Sequence, residues 1–177
     1  MKSINIHDFN HPIFEAFKAL YTSSFPIFEQ RTIKQQEAAF SNTNYHLTGY
    51  EENGNFIGFI SYWEFNNYIY IEHFAINTHI RGKGYGTELL KNFIQLTDKI
   101  VLLEIDPIID EVSEARLRFY KKCGFHENHH SHKHPSYRSE YSPHPLIVLT
   151  SQRTMSNEEY QIFNLNLSQI VMNFCLA

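Results

Sequence analysis

An α+β fold built around one mixed sheet is what this sequence predicts, and three observations carry the expectation. From Tyr45 to Phe65 the chain alternates with a period of two, and Asn53-Gly54 interrupts it midway, a strong short hairpin signal. Residues 100–105, IVLLEI, form a continuous apolar run of the kind found in strands buried on both faces. Between these regions Tyr85, Leu89, Leu90, Phe93 and Ile94 fall at helical spacing. A strand, a helix and a second strand in that order make a crossover between parallel neighbours. The expected sheet is antiparallel first and parallel in the middle.

The elements follow in order. PIFEAFKALY, 12–21, reads as a helix with Pro12 near its start and Ile13, Phe17, Leu20 and Tyr21 on one face. TSSFPIFEQR reads as a loop. Thr32 and Gln35 have the spacing of a capping box for a short helix through Phe40. Two hairpin strands come next, Asn66-Asn67 makes the following turn, and YIYIEHFAI, 68–76, is a third strand. Beyond the apolar strand, SEARLRFYKKCGF, 113–125, is a helix closed by Gly124. His126 to Pro145 is polar and rich in histidine, an irregular hairpin before the strand PLIVLTS. Ser156 and Glu159 cap a last helix, with Tyr160, Phe163, Leu167, Ile170 and Phe174 inward. No repeat and no linker is found, so a single domain over 1–177 is expected.

At 177 residues the chain can bury one good core. A net charge of −4 argues against a nucleic-acid partner. Two cysteines, Cys123 and Cys175, make no disulfide framework, which suits a reducing compartment. The N-terminus has no signal-peptide pattern, and no apolar run reaches membrane-spanning length. A cytoplasmic protein without a membrane partner is expected.

The segment RGKGYGTELL, 81–90, sets three glycines among Arg81 and Lys83 just before a helix. Bare backbone, helix N–H groups and cations suit a phosphate. A P-loop needs four residues between its glycines and then Gly-Lys-Ser/Thr, which are lacking. The dinucleotide fingerprint fits better: Gly82 and Gly84 give G-x-G, and Glu104 lies about 20 residues on. Its third glycine position, however, is Thr87, and Asn77 to Arg81 separate the loop from its strand.

Arg81-Gly82-Lys83-Gly84-Tyr85-Gly86 matches R-x-x-G-x-G/A, and here the sequence resembles the GNAT N-acetyltransferases. IEHFAI resembles their fourth strand, and the Phe119-Tyr120 pair before Gly124-Phe125 resembles their later motif. The agreement runs from Tyr45 to Phe125. The resemblance implies a parallel pair of strands that splays apart, helices on both faces and an extra C-terminal helix. It further implies acetyl-CoA as co-substrate, its pyrophosphate on residues 81–87 (Arg81, Gly82, Lys83, Gly84, Tyr85, Gly86 and Thr87). Backbone groups of Phe74, Ala75 and Ile76 would pair with the pantetheine amides as an added strand pairs with an edge. Ser113 stands where the family often has an asparagine that binds the same arm.

By the same resemblance Tyr120 is the acid beside the thioester sulfur, with helix anchoring as its alternative. Glu72 would accept the amine's proton through water, its pKa raised by burial beside Trp63, Phe65 or Phe74. The alternative is a solvent-facing glutamate. Strand alternation would turn His73 to the opposite face. Cys123, at a helix end where an apolar residue belongs, reads as packing rather than as a nucleophile.

The resemblance also implies an acceptor site between the loop joining the first helices, with Phe25, Glu29 and Arg31, and the late hairpin, with Tyr137 and Arg138. Arg138 could clamp a carboxylate, which would suit a free amino acid. His130, His132 and His134 would share a face on an extended strand, a geometry that can hold zinc or nickel. No acid or cysteine completes a site, and no metal is expected. The expected function is acetyl transfer to a primary amine of a small molecule in a ternary complex, by a monomer or homodimer. A binding module that holds acetyl-CoA without turnover is the alternative.

Overall fold

The computed structural model describes residues 1–173. In chain order its elements are β1 (Lys2–Asn5), α1 (Phe14–Ser24), α2 (Ile33–Phe40), β2 (Tyr45–Glu52), β3 (Asn55–Glu64), β4 (Tyr68–Ile76), α3 (Tyr85–Gln95), β5 (Ile100–Ile105), α4 (Glu111–Lys122), β6 (Phe125–Glu127), β7 (Lys133–His134), β8 (His144–Pro145), β9 (Ile147–Ser151) and α5 (Asn157–Asn166). A π-helical turn over Leu167–Val171 follows α5. Phe174 and Cys175, which figure in the sequence reading, lie outside the described residues.

The main sheet has the order β1-β2-β3-β4-β5-β9-β6, with β7 and β8 as a separate ribbon. Of its pairings among the described residues only β4 with β5 is parallel. Asn53 and Gly54 both take positive φ, 52° and 78°, as a two-residue turn of this hand requires. Thr32 and Gln35 do form the capping box of α2. Strand β1 went unread because KSIN is four mostly exposed residues with no usable period. Helix α1 runs on to Ser24, into the segment read as loop. Helix α4 starts two residues before the expected Ser113, since Asp110 caps it and a polar first turn hid the start.

Alternation along β5 feeds two cores. Leu102 joins Phe17, Tyr21, Phe59, Trp63, Tyr70 and Phe163 under α1, α2 and α5. Val101 and Leu103 join Ile69, Ile71, Leu89, Leu90 and Phe125 under α3 and α4. Each such side chain taken from water contributes roughly 1.5–3 kcal/mol.

The feature that makes room for a site is on β4. Ser61 faces His73 while Tyr62 faces Ile71, so Glu72 is an extra residue with no partner on β3. Such a bulge bends and twists its strand. Strand β4 pairs with β5 only from Tyr68 to Tyr70, against Ile100 to Leu102. Beyond Tyr70 the parallel strands part. The bulge also cancels the alternation expected of His73. Glu72 reaches Trp63, and His73 packs on Tyr21 and Phe25, so both side chains share one face.

Candidate active site

The chain leaves β4 through a short turn at Thr78–Ile80, capped by Asn77, whose side chain accepts from the His79 N–H at 3.1 Å. Gly82 and Gly84 then take φ of +83° and +85°, and Gly84 caps α3. No atom lies within 4 Å of where a Cβ would sit at either, so the dihedral rather than space demands glycine. The first-turn N–H groups of α3 open here. Tyr85 donates to Glu52 Oε2 at 2.6 Å and ties this helix start to β2.

A cleft of about 930 Å³ runs from this loop between the splayed strands. Phe74, Ala75 and Ile76 form one wall; their inner edge pairs with β3, and no strand occupies the other edge among the described residues. Phe119 and Tyr120 face them from α4. The Tyr120 hydroxyl makes no hydrogen bond among the described residues, and burial pushes its pKa up to about 12.

At the bulge sits a dense polar knot. Glu72, its side chain 0% exposed, pairs with Arg31 at 2.7 Å and accepts from Trp63 Nε1 at 2.7 Å and the Tyr137 hydroxyl at 2.9 Å. Burial alone would raise its pKa, but Arg31, His73 and the two donors outweigh it and hold the carboxyl below its ordinary value. His73 donates from Nε2 to the Glu29 carbonyl at 2.8 Å. A second knot surrounds Glu104 on β5. Tyr70 donates to one of its oxygens, His132 bonds the other, and His134 Nε2 lies 4.0 Å off. The Glu104 side chain is 5% exposed. Beside it, Asp106 pairs with Arg116 at 2.8 Å. Glu29 and His144 complete this end of the cleft, Oε1 to Nε2 at 4.0 Å.

The model of the acetyltransferase (GNAT) family matches residues 10–125, more than half of the sequence. The chain belongs to this family. YjbC of Bacillus subtilis (strain 168), a protein whose name assigns it to the acetyltransferases, is 28% identical over 140 residues, 76% of this chain and 70% of that one. A GNAT-family protein from Bacteroides thetaiotaomicron superposes with a TM-score of 0.90 at 24% identity, over 97% of this chain and 98% of that one. A GNAT acetyltransferase from Elizabethkingia anophelis, solved with acetyl-CoA bound, superposes at 0.60 and 16% identity, over 86% and 97%.

For this acetyltransferase the structure gathers many of the residues singled out in its sequence. Arg81, Gly82, Gly84, Tyr85, Gly86, Thr87, Phe74, Ala75, Ile76, Glu72, Tyr120, Phe25, Glu29 and Tyr137 all line the one cleft. Three do not. Lys83 is exposed outside the wall. The Ser113 hydroxyl is taken up by the α4 cap, accepting from the Ile109 and Asp110 N–H groups and donating to Asp110, which leaves it nothing for a pantetheine arm. Arg138 stays at the surface, its Nε donating to the Ile27 carbonyl at 3.1 Å, and is no clamp within the cleft. The raised pKa expected of Glu72 is likewise corrected, because a buried guanidinium beside it overrides desolvation.

Sequence reasoning missed the Glu104 knot. His132 and His134 are buried rather than loop decoration, and the acid that meets them comes from β5, 28 residues before His132. Among the described residues no group of three or more His, Cys, Asp or Glu is placed to hold a metal ion. Cys123 packs in the core under α3 and α4, and burial raises its thiol.

Proposed function

We propose that the cleft binds acetyl-CoA with its pyrophosphate on residues 82–87 and its pantetheine along the open edge of Phe74–Ile76. The thioester then lies beside Tyr120, and the acetyl group passes directly to a primary amine of a small molecule. One observation carries this reading: a single cleft joins the glycine loop, a strand edge and a tyrosine hydroxyl that have no bonding partner among the described residues. The coenzyme held by the Elizabethkingia anophelis neighbour supports it. Two substrates held together need no covalent enzyme intermediate. Tyr120 protonates the departing thiolate, whose acid has a pKa of roughly 8.5.

For the acceptor, the far end of the cleft offers Glu29, Asp106 there being paired with Arg116, while Arg138 lies outside. That lining favours an amine entering as a cation and gives no support to the carboxylate clamp expected for a free amino acid. The test is release of coenzyme A from acetyl-CoA with paired acceptors, each amino acid against its decarboxylated amine. Release with the plain amines supports the reading. Calorimetric binding of acetyl-CoA with no release across the panel would point instead to a non-catalytic module.

A further inference from the structure

We propose that Glu29 accepts the proton that the acceptor amine loses; the inference rests on the acetyl-transfer reading above and names a catalytic residue for it. The cleft wall holds four acids, and three are committed. Glu72 has both oxygens bonded, one of them to a buried guanidinium, and its side chain meets no solvent. Glu104 likewise has Tyr70 on one oxygen and His132 on the other. Asp106 is held by Arg116. Among the described residues, the Glu29 carboxylate has no hydrogen bond and no ion pair closer than His144 at 4.0 Å. Its backbone is nevertheless fixed, since its carbonyl holds the His73 ring and its N–H donates to the Pro26 carbonyl at 2.9 Å. A placed carboxylate with open lone pairs is what proton abstraction requires.

Three imidazoles stand around it. His73, on β4, spends its Nε2 proton on the Glu29 carbonyl, and burial lowers its pKa to about 4. His134, on β7, gives its Nδ1 proton to the Pro135 carbonyl at 2.6 Å and is buried beside Glu104. His144, on β8, is the remaining imidazole, and burial lowers its pKa. Burial raises the Glu29 carboxyl, the charges of Asp106 and Glu104 add to this, and Arg116 opposes them; the result is about 7. Its side chain is 23% exposed, so a captured proton has a way out.

The step balances. The acceptor ammonium gives one proton to the Glu29 carboxylate, and the freed nitrogen lone pair forms the C–N bond at the thioester carbonyl. The C–S bond then breaks, and the thiolate takes the Tyr120 phenol proton. The nitrogen sheds its second proton as the amide forms, which restores the phenol through solvent. The proton on Glu29 leaves to solvent before the next cycle.

The test is kcat/KM against pH for the parent chain, Glu29→Gln and His144→Asn, with benzylamine, butane-1,4-diamine and glycine amide as acceptors. Acetyl-CoA affinity is measured on each by calorimetry. The parent should rise through a bend near pH 7. Glu29→Gln should fall roughly 10²- to 10⁴-fold and lose the bend, with coenzyme affinity unchanged, while His144→Asn keeps the bend. The proposal is overturned if Glu29→Gln keeps the bend, if the bend vanishes only in His144→Asn, or if Glu29→Gln loses coenzyme affinity. A parent that binds acetyl-CoA but acetylates none of the three amines also overturns it. A parent that binds no acetyl-CoA takes down the underlying reading itself.

Discussion

Tyr120 holds its proton up to about 12 because burial disfavours the phenolate, and nothing among the described residues bonds its hydroxyl. A phenol in that state stays protonated at working pH and is in place to donate when charge develops on a departing thiolate. Tyr120→Phe removes that proton and little else. Turnover should drop roughly 10²- to 10⁴-fold with acetyl-CoA affinity held; steady-state kinetics beside calorimetry separates the two, and a variant within about twofold of the parent would leave Tyr120 a packing role. Glu29 gives a second prediction at this scale. A carboxyl raised from 4.5 to about 7 binds protons more tightly folded than unfolded. The stability that Glu29 contributes is therefore lost as pH rises from about 4.5 through 7. Glu29→Gln should melt higher than the parent at pH 8 and alike at pH 4, in thermal scans at both.

The loop and the bulge each act as a unit. Gly84 caps α3 at φ +85°, a conformation β-branched residues avoid. Gly84→Val should twist the loop and abolish calorimetric binding of coenzyme A while the far-UV circular dichroism stays that of the parent. Retained affinity would remove the pyrophosphate from this loop. At the bulge, the Glu72–Arg31 pair fastens β4 to the connection between α1 and α2 and, through Arg31, to the Val171 carbonyl after α5. Breaking one side of a buried pair leaves the other charge without compensation. Glu72→Gln should thus cost roughly 3–5 kcal/mol in urea unfolding. A full general-base defect without that loss would restore Glu72 as the proton acceptor.

The whole fold carries an acid sensitivity that its single charges do not suggest. His73 is buried neutral: desolvation lowers its pKa to about 4 despite Glu72 nearby, against 6.5 when unfolded. At this residue the unfolded chain binds more protons between these values, so the stability that neutral His73 contributes is lost as pH drops from about 6.5 to 4. The loss is on the order of 2–3 kcal/mol. Below about 4.5 the depressed carboxyls of Glu72 and Glu104 add to it, since both must be protonated to unfold the two knots. Glu29 acts in the opposite direction over this range, so the comparison is between chains. As pH drops from about 6.5 to 4 the parent's urea midpoint should lose ground to that of His73→Gln, and parallel slopes would assign the loss to other groups.

The order of elements, the hairpin, the capping boxes and the glycine loop were legible because each rests on neighbours in sequence. A turn needs Asn53-Gly54, a cap needs Thr32 with Gln35, and a period of two or 3.6 shows within a dozen residues. The loop's match to the acetyltransferases was legible for the same reason. What the sequence could not show is what distance in the chain conceals. The bulge at Glu72 is set by register against β3, so strand alternation put His73 on the wrong face. Arg31 meets Glu72 from 41 residues away, which turned an expected base into half of an ion pair. His132 and His134 fold inward only because β5 brings Glu104 to them. Local chemistry determined the scaffold and the glycine loop. Tertiary contacts decided which carboxylates are spent on structure and which one stands open in the cleft, because a buried charge takes its pKa from groups that only the folded chain brings near.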